Sequence, residues 1–226
     1  MHEIIQRLIR IENQIKEESD KLNISKFARI IAISKTFSLE TITPLIDHGH
    51  IHFGENKVQE AKFKWATIKK DRPEINLHFV GKIQTNKIKD IVKLFDFVHS
   101  LESFKQAEIF SNKENELNKK LKYFVQINIG DEIQKGGIQA KDISSFLEKC
   151  LTNYGLNITG LMCLPPNDKF AEKYFESMKN LKTSLLKSFK NLELDLSMGM
   201  SNDYIKAINY GSSYIRIGTK IFGERK

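Results

Sequence analysis

The sequence predicts an α/β fold, a single (β/α)8 TIM barrel with an extra helix in front of the first strand. Three observations carry that expectation. Short apolar runs alternate with amphipathic stretches from one end of the chain to the other without a change of character. The alternation reaches eight strands separated by seven helices, in a chain of 226 residues, and barrels of this kind begin at about 200. Glycine, serine, asparagine and lysine then gather just after strand ends, the rim on which such barrels build their sites. An open, doubly wound sheet shares the alternation and is the alternative architecture.

Taken in order, residues 1–19 form a helix, because Ile4, Leu8, Ile11 and Ile15 recur on one face with charges opposite. The first strand, 29–34, contains Ile30-Ile31-Ala32-Ile33, an unbroken apolar run of the sort buried on both faces of a parallel sheet. Ser38 can cap the next helix, which turns Leu39, Ile42, Leu45 and Ile46 inward and has Gly49 just past its end. Pro44 is a misfit inside it. A short strand from His50 to Gly54 precedes a helix carrying Val58, Ala61, Trp65 and Ile68. Strands then fall at 76–81, 96–100, 122–129, 156–162, 192–198 and 213–217, with helices at 84–94, 103–119, 140–153, 169–189 and 202–210 between them. No linker, internal repeat or low-complexity segment interrupts this, so residues 1–226 read as one domain.

Composition narrows the function. The net charge of +8 and pI near 9.3 invite nucleic acid, but lysines are mixed with acids, as across Lys113–Lys120. Such mixing describes solvated helix faces and predicts no nucleic-acid groove, while the excess still favours a small anionic ligand. No stretch approaches the roughly 18 apolar residues of a membrane span and no secretory signal opens the chain, so a cytoplasmic location is expected. Cys150 and Cys163 are read as reduced packing residues.

The rim carries the chemistry. Lys35 follows strand 1, Gly54-Glu55-Asn56 strand 2, Gly81-Lys82 strand 3, Ser197-Met198-Gly199-Met200-Ser201 strand 7 and Gly218-Thr219 strand 8. The loops after strands 7 and 8 often hold phosphate, through Ser201 with its hydroxyl, Gly218 with its bare backbone, and Thr219. Arg216, two residues before Gly218, points to the same face of the barrel and needs a partner, either a carboxylate or a ligand atom. Lys35, at the end of an apolar strand, sits where its surroundings can keep an amine neutral and able to form a Schiff base with an aldehyde. A phosphate cradle facing such a lysine describes a sugar-phosphate aldolase or a pyridoxal-phosphate site. The alternating His48, His50 and His52 raise a metal hydrolase as a competitor, but they fall toward the barrel floor and no other strand end completes a ligand set.

Six segments in order then carry a resemblance: Ala32-Ile33-Ser34-Lys35; Phe53-Gly54-Glu55-Asn56; Leu77 through Lys87; Gly160-Leu161-Met162; Leu196 through Ser201; and Arg216 through Arg225. Together they resemble the pyridoxal phosphate homeostasis protein family. The resemblance implies a barrel like the N-terminal domain of alanine racemase, with Lys35 as the Schiff-base lysine. It further implies that Ser201, Gly218 and Thr219 hold the phosphate, that Arg216 faces the pyridine nitrogen and that Asn56 lies near the cofactor. Phe37 and Lys82 depart from the residues expected there, a basic residue and a histidine.

An arginine at the pyridine nitrogen only donates, so the nitrogen stays unprotonated and the ring is a poor electron sink. Racemases on this barrel draw a second acid/base group from a further domain, for which the chain, ending at Lys226, leaves no room. The expectation is therefore a carrier or buffer of pyridoxal 5′-phosphate, acting on amino-acid and keto-acid balance indirectly and with no efficient catalysis. The alternative is a weak amino-acid racemase or related enzyme using Lys82 or Lys135. Apo forms of pyridoxal enzymes are possible partners, and a monomer is expected.

Overall fold

The computed structural model describes residues 1–130, 132, 136–166 and 170–224. Its eight strands are β1 (Arg29–Ile33), β2 (His52–Glu55), β3 (Asn76–Phe79), β4 (Phe97–Leu101), β5 (Lys122–Ile127), β6 (Asn157–Cys163), β7 (Asp195–Met200) and β8 (Tyr214–Ile217). They pair in parallel in chain order, and β8 returns to β1 to close the barrel, with Ile31 opposite Arg216. The helices are α1 (Glu3–Lys21), α2 (Leu39–Asp47), α3 (Val58–Trp65), α4 (Ile68–Asp71), α5 (Ile88–Leu94), α6 (Phe104–Leu117), α7 (Ile143–Thr152), α8 (Ala171–Ser188), α9 (Tyr204–Asn209) and α10 (Thr219–Phe222).

Three differences from the sequence reading have physical reasons. The helix carrying Trp65 and Ile68 is two pieces, α3 and α4, since Ala66 and Thr67 end the first. β3 stops at Phe79, and Gly81 instead packs its bare Cα against the Asn56 carbonyl, where a Cβ would collide. The last turn, α10, was too short to announce itself by periodicity. His50 also stands outside β2, which begins at His52. Ser38 caps α2 by accepting from the Thr41 amide, and Gly49 takes φ +91° beyond its end, as expected. Pro44 is accommodated six residues into α2, where the carbonyl it leaves without an amide partner belongs to exposed Glu40.

Two apolar regions hold this together. Outward strand residues such as Ala32, Phe53, Leu77, Phe79 and Val98 pack under the helices, on Ile42, Trp65, Ile91 and Phe110. Removing side chains of this kind from water stabilises the fold by about 1.5–3 kcal/mol each. Inside the barrel a smaller cluster of Ile31, Ile33, Phe97, Phe124, Met162 and Tyr214 fills the lumen. Gly160 makes room for it, because a methyl there would strike the Phe124 ring and the Asp195 carbonyl.

The lumen is also unusually polar. His52, His78 and His99 share it with Ser197 and Arg216, and His78 and His99 are fully buried. Burial holds both imidazoles well below their ordinary pKa, neighbouring histidines and, for His99, Arg216 adding to the effect. Burial likewise pulls His50 and His52 down to about 4. Unfolded histidines gain protons below about pH 6.5, while the folded ones resist until far lower. The stability they contribute is thus intact above pH 6.5 and is lost as pH falls toward 4. His78 and His99 add to that loss in the same direction, since both are held well below the ordinary value. Urea unfolding at pH 7 and pH 5 checks this: a midpoint that does not drop at pH 5 would mean the imidazoles are not buried neutral.

Candidate functional site

β1 delivers Lys35 to the C-terminal rim, and the chain around it is held on both sides. The Ser34 carbonyl accepts from the Lys64 ammonium at 2.8 Å, and the Thr36 amide donates to Glu60 Oε1 at 2.5 Å. Lys64 is itself buried and pairs with Glu55 at 2.9 Å and Glu60 at 3.2 Å. Glu55 Oε1 also accepts from Ser34 Oγ and Trp65 Nε1. Thr36 has φ +69°, a left-handed conformation that costs a β-branched residue free energy and persists only where its surroundings over-determine it. The Glu55–Lys64–Glu60 network is that determinant.

On β8, the neighbour of β1 in the closed barrel, Arg216 is buried in the lumen. Its guanidinium donates to the Ser197 carbonyl and hydroxyl at 2.7 Å each and to the Cys163 carbonyl at 2.8 Å. Among the described residues no carboxylate pairs with it directly; its hydrogen-bond partners are neutral oxygens, and Asp203 acts on its charge through space.

Near the end of β7, Gly199 takes φ +92° where a Cβ would collide with Ala207 of α9. This tight passage turns the chain through Met200, whose amide donates to Asp203 Oδ1 at 2.6 Å, and presents Ser201 and Asn202 at the rim. Gly218 and Thr219 open α10, whose first amides have no acceptor within the helix.

These residues meet in one cavity of about 530 Å³, within the size range of small-ligand sites. Lys35, Ser201, Arg216, Gly218 and Thr219 all line it, along with Ile33, Val80, Leu164, Pro165, Pro166, Ala171, Met200, Asn202, Asp203 and Lys206. Arg216 and Lys206, the latter paired with Glu172 at 2.8 Å, bring positive charge to a lining whose carboxylate is Asp203, a balance that suits an anion.

Asn56 does not line the cavity. It stands half-buried on the same rim, with Oδ1 buried and without a hydrogen-bond partner. A ligand donor would satisfy that atom. A methyl on Gly218 would meet Ile33 at an ordinary 3.5 Å, so packing within the protein does not itself demand glycine there.

Lys82 is exposed and lies outside the cavity lining; Lys135 and Arg225 fall outside the described residues. Phe37 packs on Phe222. His48 is exposed, His50 Nε2 bonds the His52 carbonyl and His52 bonds His78, so the three alternating histidines do not converge. Among the described residues no group of three or more His, Cys, Asp or Glu is placed to hold a metal. Cys150 and Cys163 are free and buried, and burial pushes both thiols up to about 12.

Sequence reasoning missed Glu55, Glu60 and Lys64 as supports of Lys35, and His78, His99 and Ser197 as the setting of Arg216. The Glu60–Lys64 spacing was a visible helical pair, but nothing in it announced a buried lysine.

The sequence profile described as alanine racemase, N-terminal domain matches residues 7–226. The pyridoxal phosphate homeostasis protein of Aquifex aeolicus is 31% identical over 225 residues, 98% of each chain. That of Pasteurella multocida is 34% identical over 98% of this chain and 97% of its own. Among solved structures, PipY of Synechococcus elongatus superposes with a TM-score of 0.88 without PLP (31% identity) and 0.85 with PLP bound (30% identity), over 98% of this chain and 100% of PipY in both cases. With the barrel, the strand-end residues and this agreement along the full length, the chain belongs to the pyridoxal phosphate homeostasis proteins, built on the alanine racemase N-terminal-domain fold.

Proposed function

We propose that this protein binds pyridoxal 5′-phosphate in the rim cavity and serves its homeostasis as a carrier or buffer, without efficient catalysis of its own. The observation that carries the reading is the single cavity shared by Lys35, Ser201, Arg216, Gly218 and Thr219. The relative solved with PLP bound and the full-length likeness to homeostasis proteins support it. When bound, the cofactor supplies an aldehyde, a phosphate and a pyridine ring.

Each residue then has a role. The Lys35 amine takes the aldehyde as a Schiff base with loss of water, its backbone fixed by Lys64 and Glu60. The Ser201 and Thr219 hydroxyls and the amides at Gly218 and Thr219 take the phosphate. Arg216 meets the pyridine nitrogen as a donor and leaves it unprotonated. Asn56 offers its unpaired Oδ1 at the edge of the site.

The lining also speaks to catalysis. Apart from Lys35 and Arg216 its ionisable groups are Asp203, engaged by the Met200 amide, and Lys206, whose pKa the bond to Glu172 raises. Both are thus already engaged by neighbours within the protein, which supports a reading without efficient catalysis. Delivery to apo pyridoxal enzymes is part of this proposal; a monomer would suffice for it. No helix among the described residues is long and apolar enough to cross a membrane.

Purified protein mixed with PLP should turn yellow, and borohydride should fix the cofactor mass on the peptide containing Lys35. Lys35→Ala protein that still yields a reduced adduct of the same extent would overturn the assignment. Gly218→Ala should weaken PLP binding about tenfold, as a crowded phosphate does. Its stability should change by less than about 1 kcal/mol; an equal loss of stability would assign the glycine to the fold instead. Incubation of the loaded protein with a panel of amino acids should give no racemisation above buffer, and measurable turnover would favour the enzyme reading.

A further inference from the structure

Three histidines from successive strands form a column through the barrel lumen that ends on Arg216. His52 Nδ1 lies 2.9 Å from His78 Nε2, and His78 Nδ1 lies 2.9 Å from His99 Nε2. His99 Nδ1 lies 2.9 Å from Ser197 Oγ, which accepts from Arg216 at 2.7 Å. The rings are fixed by stacking: His78 on Phe97 and His99 on Phe124, each with centroids 4.3 Å apart.

A neutral imidazole has one donor nitrogen and one acceptor nitrogen. Joined Nδ1 to Nε2, the rings therefore share one polarity, and the tautomer of any one dictates the others. Ser197 decides which polarity holds. If its hydroxyl donates to His99 Nδ1, every ring carries its proton on Nε2, and Ser197 Oγ presents lone pairs to Arg216. In the reverse polarity His99 and Arg216 both donate to Ser197 Oγ, and the hydroxyl proton, buried, has no acceptor. A buried donor without an acceptor is costly, so the first arrangement prevails.

We propose that His52, His78, His99 and Ser197 are positioning residues, a one-directional hydrogen-bond relay that holds the Ser197 hydroxyl as an acceptor for Arg216 and so sets the guanidinium for the cofactor ring. The proposal rests on Arg216 facing that ring, as argued above. Arg216 needs such a setting because its hydrogen-bond partners are one hydroxyl and two carbonyls, with no carboxylate among the described residues in contact with its charge. The carbonyls are fixed by the strands, and the hydroxyl alone is free to rotate. The relay removes that freedom, and it makes residues that never touch Arg216 matter to the ligand.

Nitrogen-15 NMR of histidine-labelled, ligand-free protein at pH 7 tests the relay directly. His52, His78 and His99 should all be neutral with the proton on Nε2; a mixture of tautomers, or a proton on Nδ1 of any of them, overturns it. PLP titrations of folded variants test the role. His99→Phe and Ser197→Ala should each raise the PLP dissociation constant about tenfold and shift the absorption band of bound cofactor. His99→Asn, whose side-chain oxygen can take the place of Nδ1, should restore both to within about threefold of wild type. His78→Phe, one link further away, should move them in the same direction by a smaller factor. Unchanged affinity and band in Ser197→Ala and His99→Phe would reject the positioning role; should His99→Phe not fold, Ser197→Ala and His99→Asn still decide. If wild-type protein binds no PLP, the cofactor reading fails, while the tautomer spectrum still judges the relay.

Discussion

The pairing of β1 with β8 is the constraint on which the site depends. Ile31 lies opposite Arg216 and Ala32 opposite Ile217, so the first strand and the last end side by side. Lys35 and Thr219, separated by most of the chain, thereby reach one cavity. The other pairings are sequential and keep neighbours in sequence as neighbours in space; only closure brings the two ends of the chain together. Closure in turn relies on a filled lumen, which Ile31, Ile33, Phe97, Phe124, Met162 and Tyr214 provide around the polar column.

Two buried cations flank that cavity and are handled in opposite ways. Lys64 is matched by Glu55 and Glu60, and its charge is spent locally on fixing the backbone beside Lys35. Arg216 hydrogen-bonds only to neutral oxygens, and Asp203 on the same cavity acts on its charge only through space, so no contacting carboxylate neutralises it. Taking a charge from water is expensive in either setting, and a carboxylate partner offsets far more of that cost than a carbonyl does. The fold therefore carries an arginine without a contacting carboxylate beside the cavity, and a paired lysine where only geometry is wanted. This is the pattern expected of a site that recognises an anion and a ring acceptor without neutralising them beforehand.

The barrel was legible because apolar runs and amphipathic stretches alternate on a scale that periodicity can read. Lys35, Ser201, Arg216, Gly218 and Thr219 were legible because strand-end position carries meaning in this fold, and the cavity gathers all five. The contributions of Glu55, Lys64, His78 and His99 were not. They depend on which side chains cross from one strand or helix to another, and a lone lysine in a helix or a histidine in a strand reads the same whether it is solvated or buried. The alternation of His48, His50 and His52 drew attention to the wrong partners: His52 turns inward to His78, a residue of the next strand, and away from its own sequence neighbours. α10 was hidden for a simpler reason, since four residues are too few to show a helical period.

The histidine column also bears on why the protein would hold a reactive cofactor quietly. Imidazoles are the usual acid/base groups near neutral pH, and three of the chain's six stand in the lumen beneath the site. Burial depresses His78 and His99 far below that range and pulls His52 to about 4, so none is a competent base there. Both nitrogens of His78 and His99 are already committed to neighbours in the column. A proton taken from a bound ligand would need an acceptor with a free lone pair on the cavity side, and the column offers its last free contact to Arg216 through Ser197. On the reading proposed above, the groups best suited to proton transfer are consumed in orienting an arginine that itself only donates, which favours retention of the cofactor over its chemistry.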